Sequence, residues 1–179
     1  MCPFVFTGLL SQPLFFAKGV AIFEDMFYNM SREYGGDRMV RFYEKVDDSL
    51  LRFAVIIAEY QGRQVWCKHK ERDTYEIPGG HREPGERIGD TARRELQEET
   101  GAIDFEIEPV CVYSVTAADN FDGQETFGML FHAVIHTLAD ELHSEIERIE
   151  LFDSVPEKLT YPQIQPKLTE EWQRRTGER

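Results

Sequence analysis

Apolar stretches separated by short polar turns run along the chain from about residue 39 onward. The run from Phe53 to Tyr60 is strongly apolar and predicts a buried strand. Gln61-Gly62 then offers a tight turn into a second strand over Arg63 to His69. A shorter extended segment, Thr74 to Ile77, is closed by Pro78. This part of the chain therefore predicts a hairpin followed by a short strand.

The second half of the chain predicts two helices and three further strands. The first helix covers roughly Asp90 to Thr100, with Asp90 as its N-terminal cap. The strands are predicted over Phe105 to Val115, Thr126 to His136 and Glu147 to Phe152. A last helix over Gln163 to Arg175 places Leu168 and Trp172 at i, i+4 on a buried face. This order indicates an α/β fold with helices on both sides of a sheet.

The first 38 residues differ from the rest. Met1 to Phe16 is apolar, but polar residues and Pro13 interrupt it, and no basic residue precedes Lys18. This pattern lacks the basic start of a secretory signal and the unbroken apolar run of a membrane span. Residues 1–38 are expected to be an accessory element of the domain, a partner-binding arm, or upstream sequence read from a misassigned start, with the last slightly favoured.

Composition limits the class of protein. The chain has 179 residues, 41% of them hydrophobic, which is enough for one domain with a proper core. A net charge of −13 argues against broad binding to nucleic-acid backbones. Three widely spaced cysteines, Cys2, Cys67 and Cys111, predict neither a disulfide framework nor a zinc site, so a reducing cytoplasm is the expected compartment.

A cluster of glutamates lies on the first predicted helix. Glu95, Glu98 and Glu99 have i, i+3 and i+4 spacing, which places three carboxylates on one helix face. Clustered carboxylates are ligands for a hard divalent cation such as Mg²⁺, and Glu86 adds a fourth on the preceding loop. The alternative, a solvated acidic face, is the usual explanation of an isolated charge run. A bound cation would also let an acidic protein accept a phosphate substrate.

The surrounding stretch resembles the signature of the Nudix hydrolases. That signature is a Gly, five residues, a Glu, seven residues, and then Arg-Glu-aliphatic-any-Glu-Glu-any-Gly-aliphatic. The nine matching positions are Gly80, Glu86, Arg94, Glu95, Leu96, Glu98, Glu99, Gly101 and Ala102. Only Ala102 departs, being smaller than the usual aliphatic residue. The resemblance implies an α/β/α sandwich around a mixed β-sheet, with residues 39–175 forming the Nudix domain.

The resemblance also implies hydrolysis of a diphosphate linkage with Mg²⁺, for which Mn²⁺ can substitute. Glu95, Glu98 and Glu99 are jointly expected to bind the metal, with Glu86 as a weaker member, and which glutamate is the general base stays open. Arg94 is expected to hold a neighbouring carboxylate ionised, or otherwise to form an ordinary i, i+4 pair. A further glutamate, Glu125, is either an extra base or ligand or a solvated loop residue.

Basic residues and glycines near the signature are the predicted substrate contacts. Lys68 and Lys70 would supply charge for phosphates, although a solvated strand edge explains them equally well. Arg82 lies closer to the expected site, and Gly79-Gly80 lets backbone approach a ligand closely. His132 and His136 share one strand face, but without acidic or cysteine partners they are expected to be structural.

The substrate itself is less well defined by sequence. Resemblance to bacterial housekeeping Nudix proteins favours a nucleoside triphosphate, ordinary or oxidised. A nucleotide sugar, a dinucleoside polyphosphate or an RNA 5′ end comes next, and the acidic surface disfavours the RNA. A Nudix-fold module that binds ligands without catalysis is the alternative from another class, although it usually lacks some of the glutamates. The expected binding partner is a small phosphate substrate. No binding to a membrane is expected, and the chain is expected to form a homodimer.

Overall fold

A computed structural model of the chain describes residues 38–117, 123–142 and 144–177. The predictions for residues 1–38 therefore fall, apart from Arg38, outside the described residues. The elements, in chain order, are β1 (Met39–Tyr43), β2 (Leu51–Tyr60), β3 (Arg63–His69), β4 (Tyr75–Glu76), β5 (Gly79–His81), α1 (Ile88–Thr100), β6 (Ala102–Thr116), β7 (Thr126–Leu138), β8 (Ile146–Phe152) and α2 (Gln165–Thr176). Every strand and helix expected from the sequence after residue 39 is present.

The strands form a mixed sheet in the order β1-β6-β7-β2-β3-β4, with β5 paired to β2 and β8 paired to β3. Strands β2 and β7 are parallel, whereas the other pairs are antiparallel. The β2–β3 hairpin turns at Gln61 and Gly62, whose φ angles of 55° and 74° suit the two central positions of a type I′ turn. The turn predicted from Gln61-Gly62 is confirmed.

Each face of the sheet carries one helix, because alternate residues of each strand point to opposite faces. Ala54, Ile56 and Ala58 of β2 pack in the same apolar cluster as Ala92 and Leu96 of α1. The intervening residues lie on the other face, where Ile57 shares a cluster with Leu168 and Trp172 of α2. The α/β/α sandwich is confirmed. Burial of each large apolar side chain contributes about 2 kcal/mol to this arrangement.

The start of α1 differs from the prediction. The helix begins at Ile88, its N-cap is Arg87 without a side-chain cap bond, and Asp90 lies inside the first turn. The reason is that the loop carboxylate of Glu86 accepts a hydrogen bond from Thr91 Oγ1 at 2.8 Å, which anchors the loop on the first turn. The helix ends at Thr100 as predicted, and Gly101 follows it with a φ of 73°, the left-handed conformation of a C-terminal cap.

No helix within the described ranges is long and apolar enough to cross a membrane.

Candidate functional site

Arg94 of α1 is the centre of a network of carboxylates. Its Nε donates to Glu86 Oε1 at 2.8 Å and its Nη2 to Glu86 Oε2 at 3.2 Å, which is a bidentate pair. Its Nη1 donates to Glu95 Oε1 at 2.7 Å and to Glu98 Oε2 at 3.2 Å. Nη2 also reaches the backbone oxygen of His81 at 3.0 Å. One guanidinium thus links the loop to two of the helix glutamates.

Glu86 is held ionised by this network. Besides Arg94, it accepts hydrogen bonds from Thr91 Oγ1 at 2.8 Å and from the backbone N–H of Glu83 at 3.0 Å. The Arg94 hydrogen bond is the main cause that lowers the pKa of Glu86 to about 2, and it outweighs the opposing effect of burial. The loop therefore presents a permanent negative charge next to the helix glutamates.

Glu95 has the opposite electrostatic environment. Burial raises the pKa of Glu95 to about 7, and the neighbouring Arg94 only partly offsets this effect. Its carboxyl group lies against Gly80, where a Cβ on residue 80 would overlap it. Glycine at position 80 therefore leaves room for the carboxyl of Glu95, and a buried carboxylate in this position would gain stability from a nearby cation.

Glu99 and Glu98 are positioned differently from each other. Glu99 is buried, and its Oε2 accepts a hydrogen bond from the Gly79 backbone N–H at 2.9 Å. A side chain at Gly79 would clash with the backbone of β2, which explains the glycine there. Glu98 is exposed, with Arg94 as its hydrogen-bond partner. The helix face thus offers two buried carboxylates and one accessible carboxylate.

These carboxylates do not form a ready-made metal cage. Within the described part of the chain, no group of three or more His, Cys, Asp or Glu side chains is arranged to hold a metal ion. The contacts above supply the reason, because Arg94 and the Gly79 N–H draw the carboxylates toward separate donors. The donor set itself fits a hard divalent cation, since it consists of carboxylate oxygens on α1 and on the loop before it.

A further acidic residue, Glu145, acts on this site and was missed by the sequence interpretation. Burial is the main cause of the raised pKa values of Glu95 and Glu76, and the charge of Glu145 raises both further. Glu145 lies just before β8, far from the signature in sequence, so helical spacing gave no signal for it. Glu145 lies near the site because β8 pairs with β3. Just beyond the end of β3, the backbone N–H of Lys70 donates to the backbone oxygen of Glu145.

The predicted basic contacts have other partners in the structure. Lys68 bonds Glu147 at 2.8 Å, and it faces away from α1 because the adjacent Cys67 points its thiol at Glu99 O. Lys70 donates to Ser144 O at 2.6 Å. The role of both lysines in substrate binding stays a prediction.

Arg82 is a structural clamp in this geometry. Its guanidinium donates to Glu86 O, to Asp48 O and to Asp48 Oδ2, each at 2.7 Å. These bonds connect the loop before α1 to the turn before β2. A substrate contact by Arg82 stays a prediction, because all three of its nitrogens already have protein acceptors.

Glu125 and His132 also lie among defined neighbours. Glu125 accepts hydrogen bonds from Tyr43 and Ser114, and its role as an extra base or ligand stays a prediction. His132 stacks on Trp172 with ring centroids 5.1 Å apart and pairs with Glu59 at 2.9 Å. His132 therefore helps to dock α2 on the sheet, in keeping with a structural role.

A sequence model described as the NUDIX domain matches residues 49–176, which is most of the chain and includes α1 with its glutamates. The chain belongs to the Nudix family. It is accordingly a Nudix hydrolase that acts on pyrophosphate bonds. Among curated proteins, no sequence relative matches this Nudix chain.

Solved structures share the fold at low sequence identity. A mutant form of the pyrophosphohydrolase BsRppH of Bacillus subtilis is 21% identical with a TM-score of 0.64, covering 79% of this chain and 93% of that one. A Nudix hydrolase from Nitrosomonas europaea is 24% identical with a TM-score of 0.57, and the match covers 72% of this chain and 91% of that one. An ADP-ribose pyrophosphatase from Streptococcus suis is 14% identical with a TM-score of 0.51, and the match covers 68% of this chain and 89% of that one. At these identities the likeness extends to the fold alone.

Proposed function

We propose that this Nudix enzyme hydrolyses a nucleoside triphosphate, ordinary or oxidised, to a monophosphate and pyrophosphate in a Mg²⁺-dependent reaction. The observation that carries the proposal is the Arg94 network, which keeps Glu86 ionised beside Glu95 and Glu98, next to Gly80 of β5. Such a set of oxygen donors suits a cation that is shared with phosphate oxygens. Mn²⁺ is expected to substitute, since it accepts the same ligands.

The metal would be held by Glu95, Glu98 and Glu99, with Glu86 and Glu145 adding negative charge nearby. Mg²⁺ at this position would neutralise phosphate oxygens and lower the pKa of a bound water. The protein contributes positioning, because Arg94 fixes the rotamers of its carboxylate partners through charge-assisted bonds. Any of the helix glutamates is able to accept the proton of the attacking water, and the choice between them stays open.

Gly79 and Gly80 of β5 lie beside the carboxyl groups of Glu99 and Glu95. Without side chains, they leave room for the backbone of β2 and for the Glu95 carboxyl. Contact of a diphosphate with Gly79 or Gly80 stays a prediction. The catalytic role of Arg94 in this proposal is indirect. It holds Glu86, Glu95 and Glu98 in place, and it also adds positive charge at the edge of an otherwise acidic site.

The choice of substrate rests on the net charge of the chain. The net charge of −13 repels a long polyanion, which favours a mononucleotide over an RNA 5′ end. The structural neighbours include an ADP-ribose pyrophosphatase and a pyrophosphohydrolase, so nucleotide conjugates belong in any test. Nucleotide sugars and dinucleoside polyphosphates are the second choice.

The test is hydrolysis of a substrate panel with Mg²⁺, read out as release of phosphate or pyrophosphate. The panel contains nucleoside triphosphates, 8-oxo derivatives, nucleotide sugars, ADP-ribose, dinucleoside polyphosphates and a triphosphorylated RNA. We expect turnover of triphosphates that stops in EDTA and returns with excess Mg²⁺ or Mn²⁺. Full turnover after exhaustive metal removal would contradict the metal role. Binding without turnover of any compound would identify a catalytically silent module instead.

A further inference from the structure

The side chain of Glu125 is held in a defined position by three neighbours. Its Oε1 accepts hydrogen bonds from Tyr43 Oη and Ser114 Oγ, each at 2.6 Å, and the Arg41 guanidinium lies 3.6 Å away. All three contacts converge on one oxygen atom. The side chain of Glu125 is still 31% exposed, so solvent reaches the carboxylate. Such a fixed, accessible acceptor differs from an ordinary mobile loop glutamate.

Glu125 lies on the same sheet face as α1 and the catalytic glutamates. Its partner Tyr43 packs against the apolar cluster that contains Ala92 and Leu96 of α1. Ser114 alternates with Tyr113 and Val115, which belong to the opposite face with α2. The Glu125 carboxylate therefore lies on the same side of the sheet as Glu95.

The strand register gives the distance between the two positions. Gly80 pairs with Ala54, and Ala54 pairs with Met129, so Gly80 and Met129 are two strand spacings apart. Glu125 precedes Met129 by four positions. With about 4.8 Å between strands and about 3.3 Å per residue, the Cα atoms of Gly80 and Glu125 are roughly 16 Å apart. A nucleotide bound by its phosphates at Gly80 has a base able to extend toward Glu125.

An aromatic pair borders the carboxylate. The rings of Tyr43 and Phe127 are 5.7 Å apart with an interplanar angle of 56°, and both side chains are only partly buried. Partly exposed aromatic faces provide stacking surface for a base, and this contribution does not depend strongly on which base is bound. Selectivity would then come from the hydrogen-bonding groups next to the rings, namely Glu125 and Arg41.

We propose that Glu125 is a specificity-determining residue that accepts a hydrogen bond from the ring N–H of the nucleobase, so that the enzyme prefers bases in which a ring N–H adjoins a carbonyl. Guanine, hypoxanthine and uracil have this arrangement. The inference rests on the proposed function, since it assigns the base of the same nucleotide substrate. Arg41, whose guanidinium lies 3.6 Å from Glu125 Oε1, would donate to the adjacent carbonyl, as an arginine does with guanine O6.

Adenine and cytosine are disfavoured by the same geometry. Their corresponding ring nitrogen is an acceptor, so its lone pair would face the Glu125 carboxylate without a proton between them. A buried or ordered acceptor pair of this kind loses its hydrogen bonds with water and gains nothing in return. Since a good pair of base contacts discriminates by about 1–3 kcal/mol, we expect a preference of about 5- to 150-fold for GTP and ITP over ATP.

The experiment compares the wild type with Glu125→Gln and uses two independent readouts. The first is kcat/KM for GTP, ITP, UTP, ATP and CTP with Mg²⁺. The second is calorimetric binding of the products GMP and AMP, which does not require turnover. Gln keeps Oε1 for Tyr43 and Ser114 but replaces the second oxygen by an N–H donor. We expect the GTP-to-ATP ratio and the GMP-to-AMP affinity ratio both to fall by about tenfold.

A matched control is Glu108→Gln, which removes the same charge from an exposed position on β6. The control should keep both ratios. If triphosphates are hydrolysed but Glu125→Gln leaves both ratios unchanged, the base-reading role is wrong while the proposed function stands. If no compound is hydrolysed but GMP binding still depends on Glu125, the proposed reaction is wrong while this site stands. Equal affinity of the wild type for GMP and AMP would overturn the inference.

Discussion

At the scale of single residues, the exposed and buried glutamates of α1 give the sharpest prediction. Glu98→Gln and Glu99→Gln should reduce kcat by orders of magnitude, because each would remove a carboxylate that we propose as a metal ligand. The fold should survive, since Gln has nearly the helix propensity of Glu. Loss of a charge from a crowded acidic face should leave the metal-free Tm unchanged or higher. Activity with Mg²⁺ and thermal unfolding without it are the two measurements.

The same substitution elsewhere controls for charge. Glu108→Gln lies on an exposed part of β6 and should change neither kcat nor Tm appreciably. Near wild-type turnover in both helix variants would show that Glu98 and Glu99 do not hold the metal, and the site assignment would be wrong.

Two glycines allow activity and stability to be separated. The three atoms nearest to a Cβ at Gly80 would all belong to the flexible end of the Glu95 side chain, whereas a Cβ at Gly128 would lie 2.5–2.6 Å from the buried side chain of Tyr113. Gly80→Ala should therefore lower activity by displacing Glu95, with little loss of stability. Gly128→Ala should cost about 1–3 kcal/mol of unfolding free energy through overpacking. Chemical denaturation and kcat/KM test both variants, and the opposite pattern would contradict the assignment of Glu95.

At the scale of elements, the sequence predicted the long strands better than the start of α1, whereas the short strands β1 and β5 were not predicted. Residues such as Ile56 and Ile57 alternate between two buried faces, and this pattern depends only on local sequence. The beginning of α1 depends instead on the tertiary bond between Glu86 and Thr91, so Asp90 gave a false cap signal.

For the same reason, the sequence predicts only part of the candidate site. Glu95, Glu98 and Glu99 are visible from helical spacing, because their relation lies within one element. Glu145 reaches the site only through the pairing of β8 with β3, and the Tyr43–Glu125 bond requires β1 to lie beside β6. Neither contact leaves a periodic signal in the sequence. Helix spacing therefore locates the core of the site, whereas its outer parts depend on strand order.

The ion pairs of α2 predict that the stability of the fold depends on pH. Glu171 is buried and bonds Arg174 and Arg175, and the Arg174 bond is the main cause that lowers the pKa of Glu171 to about 2 from a usual value near 4.5. A group with a depressed pKa in the folded state stabilises the fold above its unfolded pKa. That contribution is lost as the pH falls from about 4.5 toward 2.

The variant Glu171→Gln tests this window. At pH 7 it should lower the unfolding free energy by about 1 kcal/mol, less than the full pKa shift implies, because solvent screens the exposed Arg174. The difference from wild type should shrink steadily between about pH 4.5 and about pH 2. Urea unfolding at several pH values measures it, and a difference that stays constant across this range would show that packing, not charge, is the cause.

At the scale of the whole molecule, the described domain contains the sheet, both helices and all the proposed site residues. Its first strand, β1, pairs with β6 from Met39↔Thr116 to Tyr43↔Val112. Arg38 adds two backbone contacts at the base of α2, since its N–H donates to Gln163 Oε1 at 3.0 Å and its oxygen accepts from Lys167 Nζ at 3.4 Å. The Nudix family match begins later, at residue 49.

We therefore predict that a chain shortened to begin at Arg38 folds cooperatively and hydrolyses its substrate at the rate of the full chain. A chain that begins at Met39 loses the Arg38 contacts and should be less stable by about 1 kcal/mol, a typical net value for a hydrogen bond, with unchanged kcat. The measurements are thermal unfolding and kcat/KM, compared between the two shortened chains and the full chain. If both shortened chains are insoluble or inactive, residues 1–37 complete the core or a subunit interface. A loss confined to the chain that begins at Met39 would instead show that the Arg38 contacts are essential for docking α2.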